Sequence, residues 1–404
     1  MDYLETERRY GSGAYGFRGI TLVKGEGARV WDEAGNSYID CVAGQGAVII
    51  GHAHPAIAEA ISGQSRRLVS CPGIFANDRR AQLLERLITH CNRNNGADFA
   101  HAFLTNSGAE SVEGALKFAR YVSGRSGIIG VRRGFHGRTF GALSLTWRKK
   151  YRKPFQPLLN DVHHVSMNNI AAAEESITKD VAAVVIEPVQ GEGGIIPAAE
   201  EYLQALRNIC DDRGVVLIFD EIQTGFGRTG DWFAFHRYGV QPDILTLAKG
   251  IAGGFPMGAV VFRESLGQLA PGSHGSTFGG NPLACAASLA SMQVLEDQQL
   301  PGRARRLGRT SLDYLQQELA NVDCVREVRG LGLMIGIDLR VRVTPVLKRL
   351  MDRGILGLPS GSTVLRLLPP LNIPQDDWKI VLNETVEILK AMPVRSRREA
   401  QHAG

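Results

Sequence analysis

Through the middle of the chain, short apolar runs alternate with stretches whose apolar residues recur every three or four positions. VAAVVIEP, VVLIFD and DILTLAK are nearly unbroken, and AHAFLTN and SGIIGVRR are also strand-like. A strand covered on both faces reads this way. Between the runs, SGAESVEGALKFARYVSG and AAEEYLQALRNICDDRG have helical spacing. They stop at Gly124 and Gly214, the residue type that closes helices. This alternation predicts parallel strands joined by crossover helices, an α/β fold.

The flanks read differently. A polar lead, MDYLETERRYGSG, is followed by ARVWD, a turn at Glu33–Asn36 and SYIDCV, which together predict a hairpin. PAIAEAISGQSRRL, with Pro55 at a first helical position, and DRRAQLLERLITHC predict amphipathic helices. NPLACAASLASMQVLEDQ predicts a long helix rich in small residues. Beyond about residue 300 come a helix, ARRLGRTSLDYLQQELA, and VREVRGLGLMIGIDLR, which reads as two strands about a Gly-rich turn. A strand in STVLRLLPPLNI and a closing helix, QDDWKIVLNETVEILKAM, complete a smaller α+β region.

Composition narrows the class. At 404 residues, 44% hydrophobic and 22% charged, the chain has room for two domains and a large core. It lacks an apolar run long enough to span a membrane, and its charged start argues against a secretory signal, so a cytoplasmic protein is expected. Its six cysteines are scattered with no CxxC pair, which predicts reduced thiols and no zinc site. His52 and His54 in GHAHP lack a third ligand and read as turn formers. The net charge is +5, and part of the excess is local. Arg148, Lys149, Lys150, Arg152 and Lys153 crowd RKKYRK; smaller clusters lie at Arg303–Arg309 and at Arg395, Arg397 and Arg398. Such clusters are usually solvated faces; the sharper reading of RKKYRK is a docking patch for an acidic partner. No nucleic-acid-binding signature accompanies the charge.

Two strand ends carry chemistry that packing does not require. Asp220 closes VVLIFD and Lys249 closes DILTLAK. In open α/β sheets ligands sit outside the carboxyl ends of such strands. The two are an ordinary ion pair or two grips on one ligand. Asn106-Ser107-Gly108-Ala109-Glu110 lies between a strand and a helix, where free backbone N–H groups make an anion site; it also reads as a plain N-cap. A lysine in a desolvated place is stabilised as the neutral amine that attacks carbonyls. Lysine, buried acid and phosphate cradle together describe pyridoxal phosphate, and Phe135 offers its ring a face to stack on.

Longer stretches then resemble a family. VVIEPVQGEGG, LIFDEIQTGFGRTG, PDILTLAKGIAGGFPMGAV and HGSTFGGNPLACAA are similar to class III pyridoxal-phosphate aminotransferases, as are GHAHP, GFHGRTFGALSLTW and VREVRGLGLMIGIDL. The resemblance runs from Tyr15 to the last helix. It implies an aspartate-aminotransferase-like fold: a large cofactor domain over 51–290, and a small domain from 291–404 joined by the segment 1–50. It implies a homodimer with shared sites. Lys249 would bond the cofactor's aldehyde and later carry the proton. Asp220 would pair with the ring nitrogen, Gln223 with the ring hydroxyl, and Phe135 would stack on the ring. Ser107, Gly108 and Ala109 would hold the phosphate, with Thr277 reaching it from the other subunit. Tyr15, Gln45, Arg138, Glu192 and Arg366 would contact substrate, the last two as a glutamate that covers an arginine and swings away for glutamate.

Within the class the chain is most similar to enzymes acting on N-acetylornithine and on lysine held by an amino-group carrier protein. The implied reaction moves the terminal amino group of an N-acylated ornithine or lysine to 2-oxoglutarate, in arginine or lysine biosynthesis. Two departures bear on this. Many relatives have threonine in place of Ala109, and ornithine-specific relatives carry tyrosine in place of Gln45, which leaves room for an acylated amino group. The alternatives are another class III activity, on 4-aminobutyrate, free ornithine or a polyamine, and a basic protein using NSGAE for phosphate.

Overall fold

Seven strands form the central sheet, in the order Phe99–Thr105, Gly258–Arg263, Ile244–Leu247, Val216–Asp220, Val181–Ile186, Gly127–Val131 and Val162–Val165. Val216–Asp220 pairs in parallel with both neighbours, and so does Gly127–Val131. Gly258–Arg263 alone runs against its two neighbours. The structure, a computed structural model, describes residues 1–93 and 96–393, so Arg395, Arg397 and Arg398 lie outside the described residues.

The three central runs owe their place to burial. Every residue of Val181–Ile186, Val216–Asp220 and Ile244–Leu247 is buried. Each Val, Leu or Ile removed from water contributes about 1.5–3 kcal/mol. Helix Gly108–Ser123 packs Val112, Ala115, Leu116, Phe118 and Ala119 against the sheet and ends at Gly124, whose φ is 66°. Helix Glu200–Arg213 ends at Gly214 with φ 60°. Both helix stops fall where the glycines predict them.

The chain ends meet. Leu22–Glu26, Arg29–Asp32 and Ser37–Asp40 form an antiparallel sheet, and Ile355–Leu356 adds to it in parallel, with Ile355 opposite Ile39. A second antiparallel sheet holds Val325–Leu331, Met334–Leu339, Val364–Leu367 and Leu358–Ser360. Arg228 ties this sheet to the cofactor side: its Nη1 donates to Leu333 O at 3.0 Å and Pro369 O at 2.6 Å.

Several elements escape the hydrophobic pattern, and three show why. The polar lead holds a helix, Tyr3–Tyr10, with no buried residue, capped by Asp2, whose Oδ1 accepts from Glu5 N at 2.9 Å. Strand Val162–Val165 contains two histidines, and helix Thr344–Asp352 buries only Val346 and Leu350. Among the described residues no helix is long and apolar enough to cross a membrane, and the six cysteines are unpaired.

Gly308 sits within helix Leu300–Leu319, directly against the turn at Gly332, whose φ is 57°. A methyl group at Gly308 would run into the Gly332 carbonyl, which is backbone and cannot step aside. Gly308→Ala is therefore expected to cost about 1–3 kcal/mol, read as a lower urea midpoint. An unchanged midpoint would contradict the close approach.

Candidate active site

The carboxyl ends of the parallel strands open onto a cavity of about 390 Å³. Ser107, Gly108 and Ala109 line one part of it, at the start of helix Gly108–Ser123. Phe135 and Arg138 line it from the loop after Gly127–Val131, and Glu192 from the loop after Val181–Ile186. Asp220, Gln223 and Lys249 complete the wall.

The helix start is built for an anion. The first N–H groups of a helix have no acceptor within it. Ser107 Oγ accepts from Glu110 N at 3.2 Å, while Glu110 Oε2 accepts from Asn106 N at 2.9 Å and Asn106 Nδ2 at 3.0 Å. These bonds fix the turn and leave the amides of Gly108 and Ala109 beside the cavity. Gly108 carries no side chain for a reason: a Cβ there would come within 2.9 Å of Ile222 Cδ1.

Asp220 is 4% exposed and does not spend its charge on Lys249. Its Oδ2 lies 2.7 Å from His136 Nδ1, and its Oδ1 accepts from Ile222 N at 3.1 Å. Burial works against the His136 imidazolium. The bond to Asp220, the Asp220 charge and that of Glu187 outweigh it, so His136 stands above the usual histidine range. His136 thus packs beside the site and also orients its acid. Glu187, the next residue after Val181–Ile186, also lines the cavity, and burial pushes its carboxyl up to about 7. It accepts from Phe135 N and from Gly191 N, each at 2.9 Å.

Lys249 has a left-handed backbone, φ 44°, an unusual state for a residue with a side chain. Burial holds its amine below the usual lysine range; Asp220, Glu187 and Glu192 oppose that, and Arg366 adds to it.

Behind the cavity, Arg366 is 1% exposed. Its Nη2 donates to Glu192 Oε1 at 2.5 Å and its Nη1 to Gln223 Oε1 at 3.3 Å. Arg138 is exposed at the mouth, its guanidinium 3.7 Å from the centre of the Tyr151 ring and 5.4 Å from that of Phe135. Three expected residues lie elsewhere. Gln45 is exposed, with φ 62°, two residues before Ala47, which does line the cavity. Tyr15 is 82% exposed in a separate surface hollow formed by the N-terminal lead, and Thr277 is on an exposed loop. Sequence reasoning did not single out Glu187 or Tyr151, and named Asn106 only as part of the NSGAE motif. For Glu187 a signal existed: it follows VAAVVI as Asp220 follows VVLIF.

Residues 12–389 match the family described as Aminotransferase class-III. The chain belongs to the class III aminotransferases. It is 44% identical to the acetylornithine aminotransferase of Methanopyrus kandleri over 394 residues, 97% of this chain and 100% of that one. It is also 44% identical to the LysW-aminoadipate semialdehyde/glutamate semialdehyde transaminase of Sulfolobus acidocaldarius over 370 residues, 91% of this chain and 94% of that one. The ornithine aminotransferase structure from Toxoplasma gondii superposes with a TM-score of 0.90 at 34% identity, covering 96% of this chain and 94% of that one. The cofactor of this aminotransferase is pyridoxal 5'-phosphate. The cavity fits it: an amine held below its usual pKa, a buried acid backed by histidine and a helix start facing the same space. Among the described residues no group of three or more His, Cys, Asp or Glu is disposed to hold a metal ion.

The field at Lys249 is testable in the cofactor-free aminotransferase. Asp220 favours the ammonium form, so Asp220→Asn lowers the Lys249 pKa further and enlarges the neutral, reactive fraction at any pH below it. Labelling of the Lys249 peptide by an amine reagent at neutral pH, followed by mass spectrometry, should be faster in Asp220→Asn than in wild type. Slower labelling would contradict the assigned field.

Proposed function

We propose that this chain moves the terminal amino group of an N-acylated ornithine or lysine to 2-oxoglutarate, giving the semialdehyde and glutamate in arginine or lysine biosynthesis. The Glu192–Arg366 pair carries this reading. The amino donor presents a terminal CH2–NH2, whereas glutamate presents a carbon bearing a carboxylate. A bare arginine would be left unpaired by the first, and a buried unpaired charge costs several kcal/mol. Glu192, with its side chain 25% exposed, pairs Arg366 during the first half-reaction and yields it to the glutamate carboxylate in the second. Arginine's planar fork suits either carboxylate.

The other roles follow from position. Bound pyridoxal phosphate supplies an aldehyde that accepts the amino group and a ring that takes up electron density. Lys249 holds and returns the proton at the substrate carbon bearing the nitrogen. Asp220, fixed by His136, keeps a proton on the ring nitrogen. Gln223 faces the ring hydroxyl, Phe135 the ring face, and Ser107, Gly108 and Ala109 the phosphate. Arg138 holds the substrate carboxylate remote from the reacting carbon. The roles of Tyr15, Gln45 and Thr277 rest on the resemblance alone.

The proposed assembly is a homodimer in which Thr277 reaches the phosphate end of the partner's site. Exposed apolar side chains on two neighbouring loops support it. Ile74 is 85%, Phe75 61% and Phe278 59% exposed. Arg80 joins the loops by donating to Phe75 O at 3.1 Å and Gly280 O at 2.9 Å. An apolar face of this kind marks an interface.

Relatives with both kinds of name lie at the same identity, so the acyl group is read from the surface. The basic segment touches the site: Tyr151 carries Arg138, and Arg148 Nη2 donates to Glu192 O at 3.2 Å. Lys149 and Lys153 are exposed beside them. This favours an acidic carrier protein as the acyl group, steered by opposite charge.

Lys249→Ala should abolish turnover and the visible absorbance of the bound cofactor; persistence of both would refute the reading. A panel of acetylornithine, free ornithine, 4-aminobutyrate and putrescine should give the highest kcat/KM with acetylornithine, the N-acylated diamino acid. For the carrier-linked substrate, kcat/KM should fall steeply with ionic strength, and Lys149→Glu/Lys153→Glu should remove most of that dependence. A salt-independent kcat/KM would leave the segment as solvated surface.

A further inference from the structure

Glu187 has no role so far, yet it lines the cavity, is 6% exposed and, among the described residues, binds no side chain of the opposite charge. Both of its oxygens are used on backbone. Oε1 accepts from Phe135 N and Oε2 from Gly191 N, each at 2.9 Å. The first donor belongs to the loop that presents Phe135 to the cofactor and His136 to Asp220. The second belongs to the loop that presents Glu192 to Arg366. One carboxylate therefore spans the two loops that hold cofactor and substrate.

The second loop is under strain and is held from several sides. Gly194 has φ 122° and Ile195 φ 54°, the latter a costly state for a β-branched residue. Arg329 Nε donates to Gly194 O at 2.9 Å and to Ile195 O at 3.0 Å, and Ser360 Oγ donates to Gly191 O at 2.9 Å. Those ties run to the C-terminal sheet, and Arg148 holds Glu192 O from the basic segment. Two ties run toward the loop that carries Phe135: Gln190 Nε2 donates to Arg132 O at 2.9 Å at its start, and Glu187 bonds Phe135 N itself, beside the cavity. Gly191 also lies so close to Gln223 that a Cβ there would collide with the Gln223 side chain. A shift of Gly191 therefore reaches Gln223 as well as Glu192.

We propose that Glu187 is a positioning residue that joins the Phe135 loop to the Glu192 loop, so that the hold on the cofactor and the setting of the Glu192–Arg366 pair change together. This rests on the reading of that pair as one that closes for the amino donor and opens for glutamate. An amide at this position keeps the volume but offers one acceptor oxygen and an NH2 group that can only donate. Either Phe135 N–H or Gly191 N–H then faces another donor. The closed setting of Glu192 loses support, and the cofactor loop loses the link that lies at the cavity, while the Gln190–Arg132 bond remains.

The test is a double-mutant cycle of Glu187→Gln and Glu192→Gln in the cofactor-loaded enzyme. Single-turnover rates are measured with glutamate and with acetylornithine, and cofactor affinity is measured by absorbance titration of the stripped protein. Glu187→Gln should shift the ratio of the two rates about tenfold toward glutamate and weaken cofactor affinity by a similar factor, the worth of one hydrogen bond to a charged group. In the Glu192→Gln background the ratio shift should vanish while the affinity loss stays. A ratio shift of the same size in both backgrounds, or equal slowing of both half-reactions, overturns the proposal. If Glu192→Gln by itself leaves the ratio unchanged, the reading of the pair falls, and the coupling falls with it. Should Glu187→Gln fail to fold, Glu187→Asp, with the charge on a stem one methylene short, carries the same cycle and the same criteria.

Discussion

Loss of water at the carboxyl edge of one parallel sheet is the constraint on which the site depends. Val181–Ile186, Val216–Asp220 and Ile244–Leu247 are neighbours in the sheet and end on the same side. Their registers, Ile186 beside Phe219 and Asp220 beside Thr246, bring Glu187 level with Asp220 and place Lys249 just beyond. Taking such charges out of water costs several kcal/mol each unless donors replace the water. Three loops supply those donors: Phe135 N and Gly191 N for Glu187, His136 and Ile222 N for Asp220. The loops around the cavity are thus arranged by what the strand-end acids require. Lys249 receives the opposite treatment. It gains no bonded counter-ion, burial depresses its pKa, and its backbone sits in a conformation costing about 1–2 kcal/mol. The acids are anchored and the amine is left free to react.

This division explains what the sequence makes legible. Continuous apolar runs mark strands buried on both faces, and a charge closing such a run stands out because packing alone would reject it. Asp220 and Lys249 are found that way, and Glu187 obeys the same rule. The helix caps are legible too, since Gly124 and Gly214 supply the left-handed residue each helix end requires. An apolar run carries no direction, however, so the reversed strand Gly258–Arg263 looks like its parallel neighbours. Helix Tyr3–Tyr10 has no apolar stripe at all; only Asp2, Glu5 and the arginines of its last turn hint at it.

Partners distant along the chain are the harder part. Arg366 lies 174 residues from Glu192 and 143 from Gln223. No local pattern joins them, and without the family resemblance the two would read as separate charges. The fold makes the connection through backbone: Gly336 pairs with Arg366 in the C-terminal sheet, and Arg228 fastens that sheet to the loop following Asp220. Close packing of Gly308 on Gly332 holds the same junction. The setting of Arg366 therefore depends on contacts far from Asp220 and Lys249 in the chain.

Charge also links the two parts. Arg366 pushes the Lys249 amine toward its neutral form, whereas Glu192 pushes it toward ammonium. With the pair closed, the two effects oppose each other at the lysine. Under the proposed exchange, a substrate carboxylate would take the place of Glu192 and Arg366 would stay paired, so its own burial cost would be met in both states. The exchange is then one anion for another at a site that is never left empty. On that proposal one cavity would accept a donor without a carboxylate at the reacting carbon and an acceptor with one, with one anion always facing Arg366 near Lys249.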